Sequence, residues 1–498
     1  MRAKVAGSER AAASARNGRP GAGEGAEGAS RGRARAGEVA AGGERGSGGP
    51  AAVMASRGLL DNAAVAALLR SRLYPALVAY PVLIVFGYII YSLLWGPGTA
   101  SANLGTSLTW VLWWPLIPLA MFALGRFWCA VCPFGTTIDL VQRVAGLGRP
   151  VPPFLKRYGI WIIDAAFLLI TWADHAFGIV ESPRGSGYLL GLLVVGVVAT
   201  GVLFERRAWC RYLCFLGGLS GNYSRASGIV LQTTPAICAQ CKEQWCYTGR
   251  GAIPGCPVFE VPRAIQTMAN CNFCASCVKA CPNDSLRLVP RRPTSELWFI
   301  RRPKFAEAFL AVVIVGIVLI QNVTMLPFWQ PLLARLAEVL FGSRLTAFTL
   351  VFVGAMAAPF GLMAGAALLS GPARAERFAE NFARFGYAII PLDLAGHMAH
   401  NLFHLLAEGR AILFNAAALV GVQVTGSTAL LPEPAIQALQ FGLVGLGIAG
   451  SLFAAYKISQ RSAAGAGPAR GLWPYLVVIA LFGLVNVYLF TLPMAHRV

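Results

Sequence analysis

Charge is what this sequence has little of. Only 13% of its 498 residues are charged, about half of the 25% usual in soluble globular proteins. That scarcity excludes an ordinary soluble enzyme. With 56% hydrophobic residues and a mean hydropathy of +0.60, a disordered chain is excluded as well. Histidine is rarer still, at five residues. The sequence holds no Gly-rich phosphate loop, no nucleophile elbow and no nucleotide fingerprint. Cysteine is missing from both ends: all twelve lie between Cys129 and Cys281, most in close pairs. Such spacing favours metal ligation over a disulfide framework.

What is present is apolar sequence in runs of about 20 residues, enough to cross a bilayer as helices. We expect an all-α polytopic membrane protein with about nine spans, near 74–95, 107–125, 158–174, 187–204, 304–326, 345–369, 385–408, 435–457 and 472–492. Residues 328–342 read as a further short or re-entrant segment. Residues 1–58 are Ala, Gly, Arg and Ser and cannot bury enough surface to fold. They fit a disordered tail, or a start upstream of the true one at Met54.

The formal charge is +20, which in a membrane protein reflects cation-rich cytoplasmic loops rather than nucleic-acid binding. Arg126, Arg143, Arg149, Lys156 and Arg157 follow span two, and Arg206, Arg207, Arg301, Arg302 and Lys304 flank the long segment after span four. The alternate loops are nearly free of cations: 96–106 has none. Even-numbered spans therefore end in the cytoplasm, and every cysteine sits at that face.

The expected organisation is a four-helix membrane unit at 74–215, an inserted cytoplasmic 2[4Fe–4S] ferredoxin domain at 216–303, and a C-terminal membrane domain at 304–498. The first unit is duplicated. Arg126-Phe-Trp128-Cys129-Ala-Val-Cys132 closes span two, and Arg207-Ala-Trp209-Cys210-Arg-Tyr-Leu-Cys214 follows span four. Each is followed by an aromatic and a glycine, Gly135 and Gly217.

The strongest motif is Cys271-x2-Cys274-x2-Cys277-x3-Cys281-Pro282, the bacterial ferredoxin run. In that run the fourth cysteine ligates the other cluster. Zinc prefers two separated Cys-x2-Cys knuckles. The partner run, Cys238-x2-Cys241-x4-Cys246-x9-Cys256-Pro257, is stretched but keeps its ends. Crossed ligation assigns Cys238, Cys241, Cys246 and Cys281 to one cluster, and Cys256, Cys271, Cys274 and Cys277 to the other. The remaining four, Cys129, Cys132, Cys210 and Cys214, fit a redox or metal relay, with buried structural cysteine as the plainer reading.

On these motifs the chain resembles the membrane-bound polyferredoxins over about 74–304. They include the nitrous oxide reductase regulatory protein, the quinol-dehydrogenase membrane component of periplasmic nitrate reductase, and the ferredoxin-type cytochrome oxidase assembly factor. Two departures stand out. The first cysteine pair is one residue short, and Phe215 stands where the family has proline. The resemblance implies a bacterial inner-membrane protein passing electrons between quinol and a redox partner protein.

Three of the five histidines fall in span seven. Asp393, His397, His400, His404 and Glu408 lie within about 80° of one helix face. Ionisable groups inside a span usually face a cavity, a cofactor or the protein interior. The strip fits haem b or another metal, with Asp393 orienting His397. It also fits a quinol site with proton release, or polar packing between helices. His175 or His496 could complete a haem site with His404. A second functional reading is a copper or iron reductase, or an assembly factor, acting through the four interfacial cysteines. A redox sensor is a third, without a recognisable output domain.

Overall fold

The computed structural model describes residues 58–340, 342–374, 376–462 and 471–495. The expected N-terminal tail, Gly58 apart, and His496 lie outside these residues. Eight of the described helical segments are long and apolar enough to cross a membrane. They are α1 (Ala76–Trp95), the broken run Leu104–Ala145, α5 (Pro153–Phe177), α6 (Pro183–Leu203), α9 (Phe305–Thr324), α10 (Arg344–Arg374), α13 (Glu433–Ser462) and α14 (Trp473–Phe490). The broken run contains α2 (Trp114–Leu124), α3 (Trp128–Val131) and α4 (Pro133–Ala145). Two short helices, α7 (Ala208–Tyr212) and α8 (Phe215–Ser224), follow α6.

Expected span seven is a helix, α12 (Ile390–Glu408), but it is not among the eight. Its histidines and carboxylates lower its hydropathy, and nearly every residue is buried within the bundle rather than facing lipid. The amphipathic stretch before it, α11 (Phe378–Gly386), also turns inward: Asn381, Phe382 and Phe385 are fully buried. The segment considered re-entrant is a short helix, Trp329–Val339.

Contacts between helix ends sort the termini onto two faces. On one, Arg374 bonds Ser459, Tyr387 bonds the Lys304 carbonyl, and Arg149 pairs with Phe204 in a β-bridge. On the other, Asn103 bonds the Ser92 carbonyl and Ala495 N–H bonds the Met325 carbonyl. All the cysteine motifs lie towards the first face.

Between α8 and α9, in the segment expected to be the ferredoxin unit, the chain forms two short sheets. Strand β1 (Ile229–Thr233) pairs antiparallel with β4 (Leu286–Pro290), Leu231 opposite Leu288, and β2 (Gly249–Arg250) pairs with β3 (Ile253–Pro254). Its core is Leu231, Met268, Ala275, Val278, Leu286 and Leu288, joined by Tyr74 from just ahead of α1. The expected boundary at 216 falls inside α8, whose Leu219 and Tyr223 belong to the membrane core.

Candidate iron–sulfur sites

The duplication is visible as a shared local construction. Cys129 sits in α3 and Cys210 in α7. Cys132 and Cys214 are each the non-helical N-cap of the next helix, with ψ of 133° and 110°. The residue after an N-cap has an N–H that needs no helical partner, so proline suits it without being required. Pro133 and Phe215 can therefore fill the same position, which explains one departure from the expected motif.

The two copies also grip each other crosswise. Arg207 donates to the Cys129 carbonyl at 2.9 Å, and its guanidinium lies beside Gly135. Arg126 lies beside Gly217 in the mirrored arrangement. The sequence names both arginines as part of a repeat, but their crossing is a tertiary fact. It brings the four cysteines together: Cys129, Cys132 and Cys210 all lie within electrostatic range of Cys214. Burial first, then those three neighbours, holds the Cys214 thiol well above its ordinary value.

The eight ferredoxin cysteines fall into two quartets. Cys256, Cys271, Cys274 and Cys277 line one cavity, of about 170 Å³. Cys238, Cys241, Cys246 and Cys281 line a second. In each quartet the cysteine before proline comes from the other sequence run, the crossed pattern expected from spacing. Among the described residues no three His, Cys, Asp or Glu groups converge tightly enough to grip one ion. A four-iron cubane is larger and spreads its thiolates around it, as these cavities do.

The donor chemistry fits such a group. Burial pushes the Cys271 thiol up to about 12, with Cys274 and Cys256 adding to the effect against a backbone N–H at Phe273. Burial and Cys271, Cys274 and Cys256 act the same way on Cys277. Four buried thiolates facing one another repel, and a cationic iron core removes that penalty. Around the first cavity the lining is largely apolar and is completed from two further directions. Leu59, Leu69 and Tyr74 arrive from the N-terminal side, and Leu124 and Phe127 from the end of α2. Tyr74 Oη donates to the Phe273 carbonyl at 2.7 Å. The N-terminal residues were not anticipated; a short helix at Ala63–Arg70 gives no sign in sequence of which surface it covers.

Gly125 sets how closely the membrane run approaches this cavity. Its φ is +62°, and a β-carbon there would stand 3.1 Å from the Phe273 ring. Directly after it, Arg126 donates to the Ala269 carbonyl, two residues before Cys271. Arg126 also lies within electrostatic range of both Cys210 and Cys271. One guanidinium thus stands between the membrane quartet and the nearer ferredoxin quartet.

The histidine strip is buried within the bundle. His397 Nδ1 lies 3.0 Å from Tyr223 Oη, His400 Nδ1 donates to Asn322 Oδ1 at 2.8 Å, and His404 Nδ1 lies 3.1 Å from Glu408 Oε1. The expected partner of His397 was Asp393, yet Asp393 makes no hydrogen bond among the described residues. Tyr223 contacts the imidazole from α8, a residue that sequence periodicity on α12 could not reveal. His175 bonds the Thr171 carbonyl through Nδ1 and stacks on Phe348.

Comparison with known proteins points to iron–sulfur chemistry, at cysteines other than the eight between Cys238 and Cys281. A 4Fe-4S binding domain family matches residues 106–152 and 186–231. Those segments contain Cys129 with Cys132 and Cys210 with Cys214, so the match falls on the two copies of the repeat. The chain thus carries two segments similar to a 4Fe-4S binding domain, together with helices long and apolar enough to cross a membrane. Its similarity extends to the "Putative electron transport protein YccM" of Escherichia coli (strain K12), 36% identical over 93 residues. The match covers 18% of this chain and 24% of that relative, about a quarter of its length. No solved structure matches the chain.

Proposed function

We propose that this chain carries electrons between a membrane donor, quinol, and a redox partner protein at the cytoplasmic face of a bacterial inner membrane. The observation that carries the reading is the sorting of eight cysteines into two crossed quartets, one of them against the end of the membrane run at Leu124 and Phe127. Iron–sulfur clusters, when bound, supply one-electron chemistry with potentials set by charge, hydrogen bonding and exposure. The chain's residues set those terms. Cys256, Cys271, Cys274 and Cys277 hold the inner group in an apolar enclosure, and Tyr74 and Leu69 exclude water from it. Arg126 places positive charge between that group and Cys210, favouring added negative charge on either side. The outer quartet includes Cys241, the more accessible end for a partner. Within the bundle, His397 on α12 and Tyr223 on α8 offer a proton donor–acceptor pair, which suits quinol oxidation. Haem b or another metal on the strip is the competing reading of those histidines.

A second reading is supported by the membrane quartet. Four thiols gathered from two repeats suit copper or iron, and a metal reductase or assembly factor would use them. Iron, sulfide, copper and haem analysis of the anaerobically purified protein, with EPR of its reduced form, separates the two. Electron transfer requires about eight or more irons per chain and cluster signals reducible by quinol. Stoichiometric copper with metal reduction favours the second reading, and a colourless, iron-free preparation sinks the first.

A further inference from the structure

A cavity of about 400 Å³ lies where α5, α8 and α9 meet the ferredoxin unit. Its floor is apolar, from Ile160, Ile163 and Leu310. Its upper wall carries five cations, Arg126, Lys156, Arg211, Arg225 and Lys304, against two carboxylates, Glu260 and Glu307. The carboxylates are already engaged. Glu307 binds both Arg225 and Lys304, and Glu260 accepts from Asn270 Nδ2 at 2.7 Å. Arg211 pairs with Glu205 at 3.3 Å.

Two cations enter no ion pair with a carboxylate among the described residues. Arg126 gives Nη1 to the Ala269 carbonyl, but its Nε is buried with no hydrogen-bond partner. Lys156 is exposed on the cavity rim and enters no ion pair. A cationic concavity over a low-dielectric floor focuses positive potential, and a buried unpaired N–H is costly. The arginine fork matches phosphate oxygens in particular. We propose that this cavity binds a phosphate group, held by Arg126 and Lys156, with the apolar floor receiving any chain attached to it. The cavity is lined by Lys156 and Lys304 at the starts of two apolar helices, α5 and α9, so the phosphate belongs either to an anionic phospholipid or to free phosphate. Bound there, it joins the first hairpin to α5 beside Ala269 and Asn270, and so fastens the ferredoxin unit to the membrane face.

The test uses the full chain in nanodiscs of phosphatidylcholine, with and without phosphatidylglycerol. Native mass spectrometry counts phosphatidylglycerol retained after detergent washing. Inorganic phosphate is titrated separately by ³¹P line broadening. One retained phosphatidylglycerol, bound roughly fivefold more weakly in Lys156→Gln and unchanged in the exposed control Arg143→Gln, identifies the lipid source. Saturable phosphate binding that Lys156→Gln weakens, with no lipid retained, identifies the free anion. Arg126→Gln should weaken either further; should that variant fail to fold, the exposed Lys156 still decides the matter. Binding of neither probe, or binding indifferent to Lys156→Gln, overturns the proposal.

Discussion

Arg207 binds Asp139 through two hydrogen bonds, Nη2 to Oδ2 at 2.6 Å and Nε to Oδ1 at 3.1 Å. The pair ties the start of the second cysteine helix to the helix that leaves the first. Arg207 is nearly fully buried, whereas the Asp139 side chain is 37% exposed, so solvent screens part of the attraction.

Removing the acid should therefore cost more than removing the arginine. Asp139→Asn strands a buried guanidinium without its counter-charge and is expected to destabilise the protein by about 3 kcal/mol. Arg207→Gln leaves a partly solvated carboxylate and a Cys129 carbonyl without its donor, at about 2 kcal/mol. Thermal unfolding of the two variants in the same detergent checks the order.

Crossed ligation makes an unusual demand on single cysteine variants. Cys281→Ser, although it ends the run containing Cys271, should remove the signal of the cluster held by Cys238, Cys241 and Cys246. Cys256→Ser should remove that of the cluster held by Cys271, Cys274 and Cys277. Each is expected to lose about four irons. EPR of the reduced variants, compared with Cys238→Ser and Cys271→Ser, reads which signals disappear together.

Gly125→Ala places a side chain at φ +62° and pushes it against Phe273. A cost of about 1–3 kcal/mol is expected, and it falls on the junction rather than on the bundle. Limited proteolysis should cut the ferredoxin unit faster in this variant, while the helical content by circular dichroism stays unchanged.

Glu260 offers a pH test. Burial raises its pKa, against the opposing pull of Asn270, Lys304 and Arg211. A raised carboxylate stabilises the fold fully in acid and loses that contribution as pH climbs through its folded value. Glu260→Gln, which imitates the protonated acid, should raise the melting temperature at neutral pH. The gain should shrink in mild acid, and a gain independent of pH would contradict the burial argument.

The spacing of the eight cysteines suggests two quartets, because ligand order is written along the chain, and each quartet lines its own cavity. The repeat was legible for the same reason: Arg126 and Arg207 occupy matching places in matching motifs. Their crossing, the Tyr223–His397 contact and the cover supplied by Leu69 and Tyr74 were not legible, since each joins residues far apart in sequence. On its sequence α12 reads as a span, yet its hydropathy falls short of the eight others for a physical reason. A helix wrapped by other helices is free to carry His397, His400, His404 and two acids, and so loses the apolar mark by which lipid-facing spans are recognised.

Helix α8 has Cys214 as its cap, Gly221 near the Ala269 carbonyl, and Tyr223 against the imidazole of His397. Nine residues of helical rise separate the first from the last, about 13 Å. A stiff rod of that length transmits a tilt at one end to the other with little loss. The cysteine cap and the Tyr223–His397 contact are therefore the two ends of one rigid element, held at a fixed separation.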